Sequence, residues 1–111
     1  MSERDPEGKD PHAGGAKLDD GKNRVGGFMG DFPRALLRVS EVWTAGANKY
    51  TSSGWETVPD KATRYTDAKC RHLLKGFIEE NDPDSEMEHL AHEVWNGLLL
   101  LETLLREKDD G

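Results

Sequence analysis

The stretch HLAHEVWNGLLLLETLL, residues 89–105, decides the fold. Placed on a helical wheel at about 100° per residue, Met87, Leu90, Ala91, Val94, Leu98, Leu101 and Leu105 gather on one side, which predicts a core face. Nearly opposite stand His89, His92, Glu93 and Asn96, followed by Leu100 and Leu104. A solvent-facing side would carry Lys and Glu throughout and would not return to leucine. This helix is therefore expected to be covered on both sides, and buried imidazole, carboxylate and amide groups need partners. Hydrogen bonds between packed helices supply them in one reading, a metal or ligand in the other.

Upstream, Ser85 opens this helix, which is expected to continue to about Lys108. Asn81, Asp82, Pro83 and Asp84 read as a tight turn, because Pro83 disfavours helix at Asp82. A helix before the turn should run from a cap at Asp60 to about Glu80, with Tyr65, Ala68, His72 and Glu79 on one face. An earlier one starts at Asp31 and Pro33, repeats apolar residues at Leu36, Val39, Trp43 and Ala47, and stops near Tyr50. No strand-like alternation occurs, so the expected class is all-α: three helices, one long loop and one short turn. Residues 16–30 are rich in glycine and read as a shaped loop. Residues 1–15 are polar with little apolar area to bury, and read as a disordered leader to a domain spanning 16–108.

The 111 residues are 34% hydrophobic and 33% charged, enough for one domain with a small core. Such domains are often stabilised by association, and a helical bundle completed by a homo-oligomer, dimer or tetramer, is expected. A formal net charge of -7 opposes nucleic-acid binding, which rests on Lys and Arg displacing counterions. It permits nucleotide binding through metal ions held by carboxylates. The apolar run at residues 98–101 is far short of the ~20 residues a membrane span needs, so no membrane partner is expected. The charged start is no secretory signal, and a lone cysteine, Cys70, fits a cytoplasmic setting.

Two antiparallel helices joined by a short turn bring Glu79, Glu80 and Asp82 to the same end as His89 and His92. Carboxylates at a helix C-terminus oppose its dipole by some tenths of a kcal/mol each, which a nearby cation, a metal or Lys75, would relieve. Oxygen ligands in this number suit Mg²⁺ or Mn²⁺, and imidazole shifts the preference toward Mn²⁺. The simpler reading is a solvated acidic helix end. Lys17, Lys22 and Arg24 lie among glycines, where backbone N–H groups and cations approach phosphate closely, although no GKS or GKT of a P-loop is present. Lys49, Tyr50 and Trp55 flank a loop of small residues, where an aromatic face is able to stack on a base. Trp43 and Trp95 fall beside apolar faces and are assigned to core or interface.

KLDDGKNR (17–24), GANKY (46–50), Trp55, RYTDAKCRHL (64–73) and HLAHEVWN (89–96), in this order, resemble phage-type dATP/dGTP diphosphohydrolases. These are MazZ-like relatives of the MazG, or all-alpha NTP pyrophosphohydrolase, superfamily. The resemblance covers residues 16–107. It implies a MazG-like bundle completed by oligomerisation, two or three Mg²⁺ or Mn²⁺ ions, and hydrolysis of a purine deoxynucleoside triphosphate to the monophosphate and pyrophosphate. Viral relatives would adjust the nucleotide pool in the host cytoplasm. The superfamily signature EExxE and ExxD is only partly met: Glu79 and Glu80 supply the first pair, but Pro83 stands at the fifth position and Asn96 replaces the Asp after Glu93. The expected metal set is Glu79, Glu80, Asp82, His89 and His92, with Glu79 and Glu80 catalytic and Glu80 taking the proton of the attacking water. Lys22, Arg24 or Arg71 would hold pyrophosphate, and His72 or Asn96 would offer a polar edge to the base. The competing class is a non-enzymatic acidic adaptor whose stripes bind a partner helix. A phosphohydrolase releasing whole triphosphate would carry an adjacent His-Asp pair, which is missing.

Overall fold

The computed structural model describes residues 3–110; of the expected leader, residues 1–2 lie outside the described residues. The described chain is all-helical, with α1 at Val25–Asp31, α2 at Pro33–Lys49, a 3₁₀ turn at Gly54–Thr57, α3 at Lys61–Lys75 and α4 at His89–Asp110. No β-strand occurs among the described residues, only an isolated antiparallel bridge between Asn81 and Glu88. The chain divides into two compact units, residues 1–32 and 33–111.

In the first unit, the segment read as a glycine-rich loop contains α1. Val25, Phe28 and Met29, with Phe32 just past its end, recur at helical spacing, a pattern that Gly26, Gly27 and Gly30 obscure in the sequence. The composition of residues 1–15 gives no apolar reason for order, and the structure here is polar instead. The Asp5 carboxylate accepts the backbone N–H groups of Glu7 (3.0 Å), Lys9 (3.1 Å) and Lys17 (3.0 Å). These bonds, that of Lys17 foremost, hold its carboxyl below the usual range.

The second unit is built on α4, which packs extensively against α3 and more lightly against α2. Helix α2 opens with Pro33, whose fixed φ and missing N–H suit the first helical position. Helix α3 follows Asp60, which holds a left-handed conformation (φ 53°) and makes no side-chain cap bond, contrary to the expected cap. It ends at Lys75, earlier than the expected Glu80. The Gly76, Phe77 and Ile78 N–H groups turn back onto the His72, Leu74 and Lys75 carbonyls. Residues 76–88 are therefore a longer connection than the tight turn expected from Pro83. The His89 N–H bonds to the Glu80 carbonyl at 2.9 Å, and the Asp82 N–H to that of Met87 at 2.8 Å, flanking the Asn81–Glu88 bridge. Hence α4 begins at His89 rather than Ser85. A Cβ at Gly76 would lie a tight 3.3 Å from the His72 carbonyl oxygen and in ordinary contact, 3.7 Å, with His89 Cβ.

The faces of α4 are the main departure from the wheel. Of the expected core face only Ala91 is buried, while Leu90, Val94, Leu98, Leu101 and Leu105 are exposed in the single chain. The buried side carries His89, Asn96, Leu99 and Thr103 instead. Among the described residues, only Val42, Ala91 and Leu99 form the buried apolar core. Periodicity shows that α4 has two faces to cover; the connection at 76–88 decides that α3 takes the polar one.

Candidate active site

The polar face of α4 meets α3 at one end of the unit. His89 is fully buried, with Nδ1 2.9 Å from His72 Nδ1 and Nε2 3.0 Å from Glu79 Oε1. A carboxylate only accepts, so His89 Nε2–H is the donor to Glu79. With a single proton on its ring, placed at Nε2, His89 accepts at Nδ1 from His72 Nδ1–H, which leaves the His72 Nε2 lone pair uncommitted within this chain of bonds. His92 stacks on His72 with ring centroids 4.6 Å apart and planes at 12°, and its Nε2 lies 2.7 Å from Ser85 Oγ.

Asp82 completes the cluster. Its Oδ2 accepts the Ser85 N–H at 3.0 Å and stands 4.0 Å from His92 Nε2. The Asp-Pro-Asp-Ser order produces this locally, since an aspartate side chain readily caps a backbone N–H a few residues on. Ser85 Oγ in turn accepts the Met87 N–H at 3.1 Å. Burial lowers the His72 value to about 4, helped by the neighbouring His92 and His89, and it also lowers His92. Burial opposes ionisation of Asp82, but bonds from the Ser85 backbone and hydroxyl outweigh it and hold the carboxyl low. At neutral pH the cluster thus presents an uncharged His72 and an ionised Asp82.

His72, Asp82 and His89 offer ligand atoms all within 4.8 Å of one another. Two imidazoles and a carboxylate fit a divalent first-row ion such as Mn²⁺ better than Mg²⁺, which prefers oxygen throughout. His72, assigned to the base from sequence, thus joins the potential ligands. Its signal was present in the face it shares with Glu79, but a helix running to Glu80 would have kept that face straight. Glu79 and Glu80 lie beyond α3, where they line a hollow of about 360 Å³ with Glu88. Glu79 is 47% exposed in its side chain, and Glu88 pairs with Arg38 of α2 at 2.9 Å. Ser85, read in the sequence only as the opening of the last helix, and Glu88 were not expected at the site; the turn at Asp82 brings the first here and the Asn81–Glu88 bridge the second.

The expected substrate residues divide. Tyr50, Trp55 and Arg71 line a cleft of about 620 Å³ formed by α2, the loop after it, α3 and Trp95 of α4. Lys61 Nζ and the Arg106 guanidinium carbon lie 5.4 Å and 5.2 Å from the centre of the Trp55 ring, so cations within the chain already occupy that aromatic. Lys49 is exposed beside Tyr50, 5.3 Å from its ring centre. Asn96 is buried and gives an amide N–H to the His92 carbonyl at 2.7 Å, a bond within its own helix. Lys17, Lys22 and Arg24 belong to the first unit. There Lys22 pairs with Glu3 at 3.1 Å, and the Arg24 carbonyl accepts the Phe28 N–H at 3.0 Å. No helix among the described residues is long and apolar enough to cross a membrane.

A helical unit that carries a histidine–carboxylate cluster and an aromatic and arginine cleft defines an all-α domain with a candidate polar site. The chain belongs to the dATP/dGTP diphosphohydrolase N-terminal family, whose model matches residues 5–110. Comparisons with curated proteins and with solved structures gave no match.

Proposed function

We propose that this protein hydrolyses purine deoxynucleoside triphosphates, dATP and dGTP, to the monophosphate and pyrophosphate with divalent metal ions, acting on the cytoplasmic nucleotide pool. The observation that carries the reading is the convergence of His72, Asp82 and His89 within 4.8 Å, with Glu79 hydrogen-bonded behind His89, in a chain of this family. The catalytic domain is taken as residues 16–108 behind a leader at 1–15.

When bound, a divalent ion supplies charge neutralisation at the phosphates and acidifies water. His72, Asp82 and His89 would hold it, with His92 and Glu80 as further candidates. The protein does the rest. Glu79 fixes the ring of His89, as a carboxylate behind a ligating histidine commonly does. Glu80, exposed beside Glu79, accepts the proton of the attacking water as its oxygen bonds to the α-phosphorus. The bond from that phosphorus to the bridging oxygen breaks, and Arg71 steadies the departing pyrophosphate. Incubating the full chain with dATP or dGTP and Mn²⁺ or Mg²⁺, then separating products by ion exchange, tests the reaction. Monophosphate and pyrophosphate are expected; nucleoside with whole triphosphate, or no turnover, overturns it.

The exposed leucines of α4 support a homo-oligomer, dimer or tetramer, that covers them. The same face favours the second reading, a non-enzymatic adaptor. That reading requires melting to be indifferent to divalent ions and nucleotides.

A further inference from the structure

The cleft has a composition and a direction that the metal chemistry does not use. In a chain with 22 acidic residues its lining includes no carboxylate, while Arg64 and Arg71 both contribute. Trp43, Tyr50, Tyr65 and Trp95 give it aromatic walls, and its volume of about 620 Å³ lies in the range of small-molecule sites. Tyr65 is partly withdrawn from water, which raises its hydroxyl value.

The order along α3 sets the direction. Arg64, Tyr65, Ala68 and Arg71 follow one another down a helix that rises ~1.5 Å per residue, so the cleft spans ~10 Å along α3, and His72 of the histidine cluster is the next residue of that helix. Arg71 therefore marks the end of the cleft that is nearer the histidine cluster along the helix axis, the end the phosphates of the proposed substrate would take. Ala68 leaves room between the aromatic walls. Arg64 stands at the far end, its Nη1 a long 3.5 Å from the Pro59 carbonyl, so most of its donors remain for a ligand.

We propose that this cleft seats the base of the substrate and that Arg64 selects purines by donating to N7. Adenine and guanine both present N7 as an acceptor, whereas pyrimidines have no counterpart. Guanine adds O6 as a second acceptor beside N7, so the guanidinium fork binds it at least as well as adenine. Tyr65 and Trp95 give the stacking surface, which every base satisfies and which therefore contributes affinity rather than choice. The inference rests on the proposed reaction for its substrate class, but it concerns binding that needs no metal.

The test is equilibrium binding of dGMP, dAMP and dTMP to the metal-free full chain, followed by tryptophan fluorescence. The wild type should bind both purine monophosphates more tightly than dTMP. Arg64→Ala should weaken dGMP and dAMP by about fivefold or more, the lower end for a lost base-edge contact, and leave dTMP almost unchanged. Arg64→Lys keeps the charge without the fork and should recover little of the purine preference. Circular dichroism confirms that both variants remain helical. Equal loss for all three monophosphates, unchanged purine binding in Arg64→Ala, or no monophosphate binding by the wild type overturns the assignment. Turnover of dGTP with an Arg64-independent preference would sink the cleft and leave the reaction standing. Arg64-dependent binding without turnover would do the reverse.

Discussion

His72 and His89 face each other Nδ1 to Nδ1 at 2.9 Å across the α3–α4 interface, and without a metal only one of these nitrogens carries the shared proton. With Glu79 accepting from the far side of His89, the bonds run in one direction, from His72 through His89 to the carboxylate. Two imidazoles otherwise free to choose their tautomers are thereby fixed by one glutamate.

Glu79→Gln tests this directly. The amide oxygen still accepts from His89 but carries no charge, and loss of such a supporting carboxylate typically reduces metal affinity or activity by about 10- to 100-fold. Metal-dependent turnover should fall by that amount while the far-ultraviolet helical signal is kept. Full activity in the variant would remove Glu79 from the site.

Stability should depend on pH through His72. Its folded value lies at about 4 against an ordinary 6.5, so the unfolded chain takes up the proton first. Stability is then complete above about 6.5 and is lost as pH falls toward about 4. His92, shifted in the same direction, adds to the slope. Urea unfolding of the metal-free protein across this range should show the midpoint dropping with pH, and His72→Gln should flatten the curve. A wild-type midpoint constant over the range would contradict the buried, neutral imidazole.

Thr103 Oγ1 is buried without a hydrogen-bond partner among the described residues. Replacing the hydroxyl by a methyl of similar shape removes an unsatisfied acceptor and donor, so Thr103→Val should stabilise by up to about 1 kcal/mol. Chemical denaturation measures it, and a destabilised variant would mean that the hydroxyl finds a partner in solution.

The exposed leucines of α4 predict assembly. Leu98 and Leu101 are 54% and 52% exposed, and changing both to Glu should reduce the mass in solution to that of one chain, read by light scattering after size exclusion. A wild type that is already monomeric, or an unchanged mass in the double variant, would leave that face without a covering copy.

The sequence by itself determined the helical class, the span of α2, and the presence of a polar stripe on the last helix that demands partners. These are local properties: side-chain periodicity and proline chemistry act within a few residues. It also placed Asp82 and His89 near one another, because they are close in the chain. Tertiary structure alone decided that α3 stops at Lys75, that residues 76–88 fold back through the Asn81–Glu88 bridge, and that the histidines turn toward α3 while the leucines face outward. A helical wheel gives the angle between two faces but not which of them meets its neighbour. That choice is made by the backbone hydrogen bonds that fold residues 76–88 back between α3 and α4, and the wheel of a single helix contains none of them.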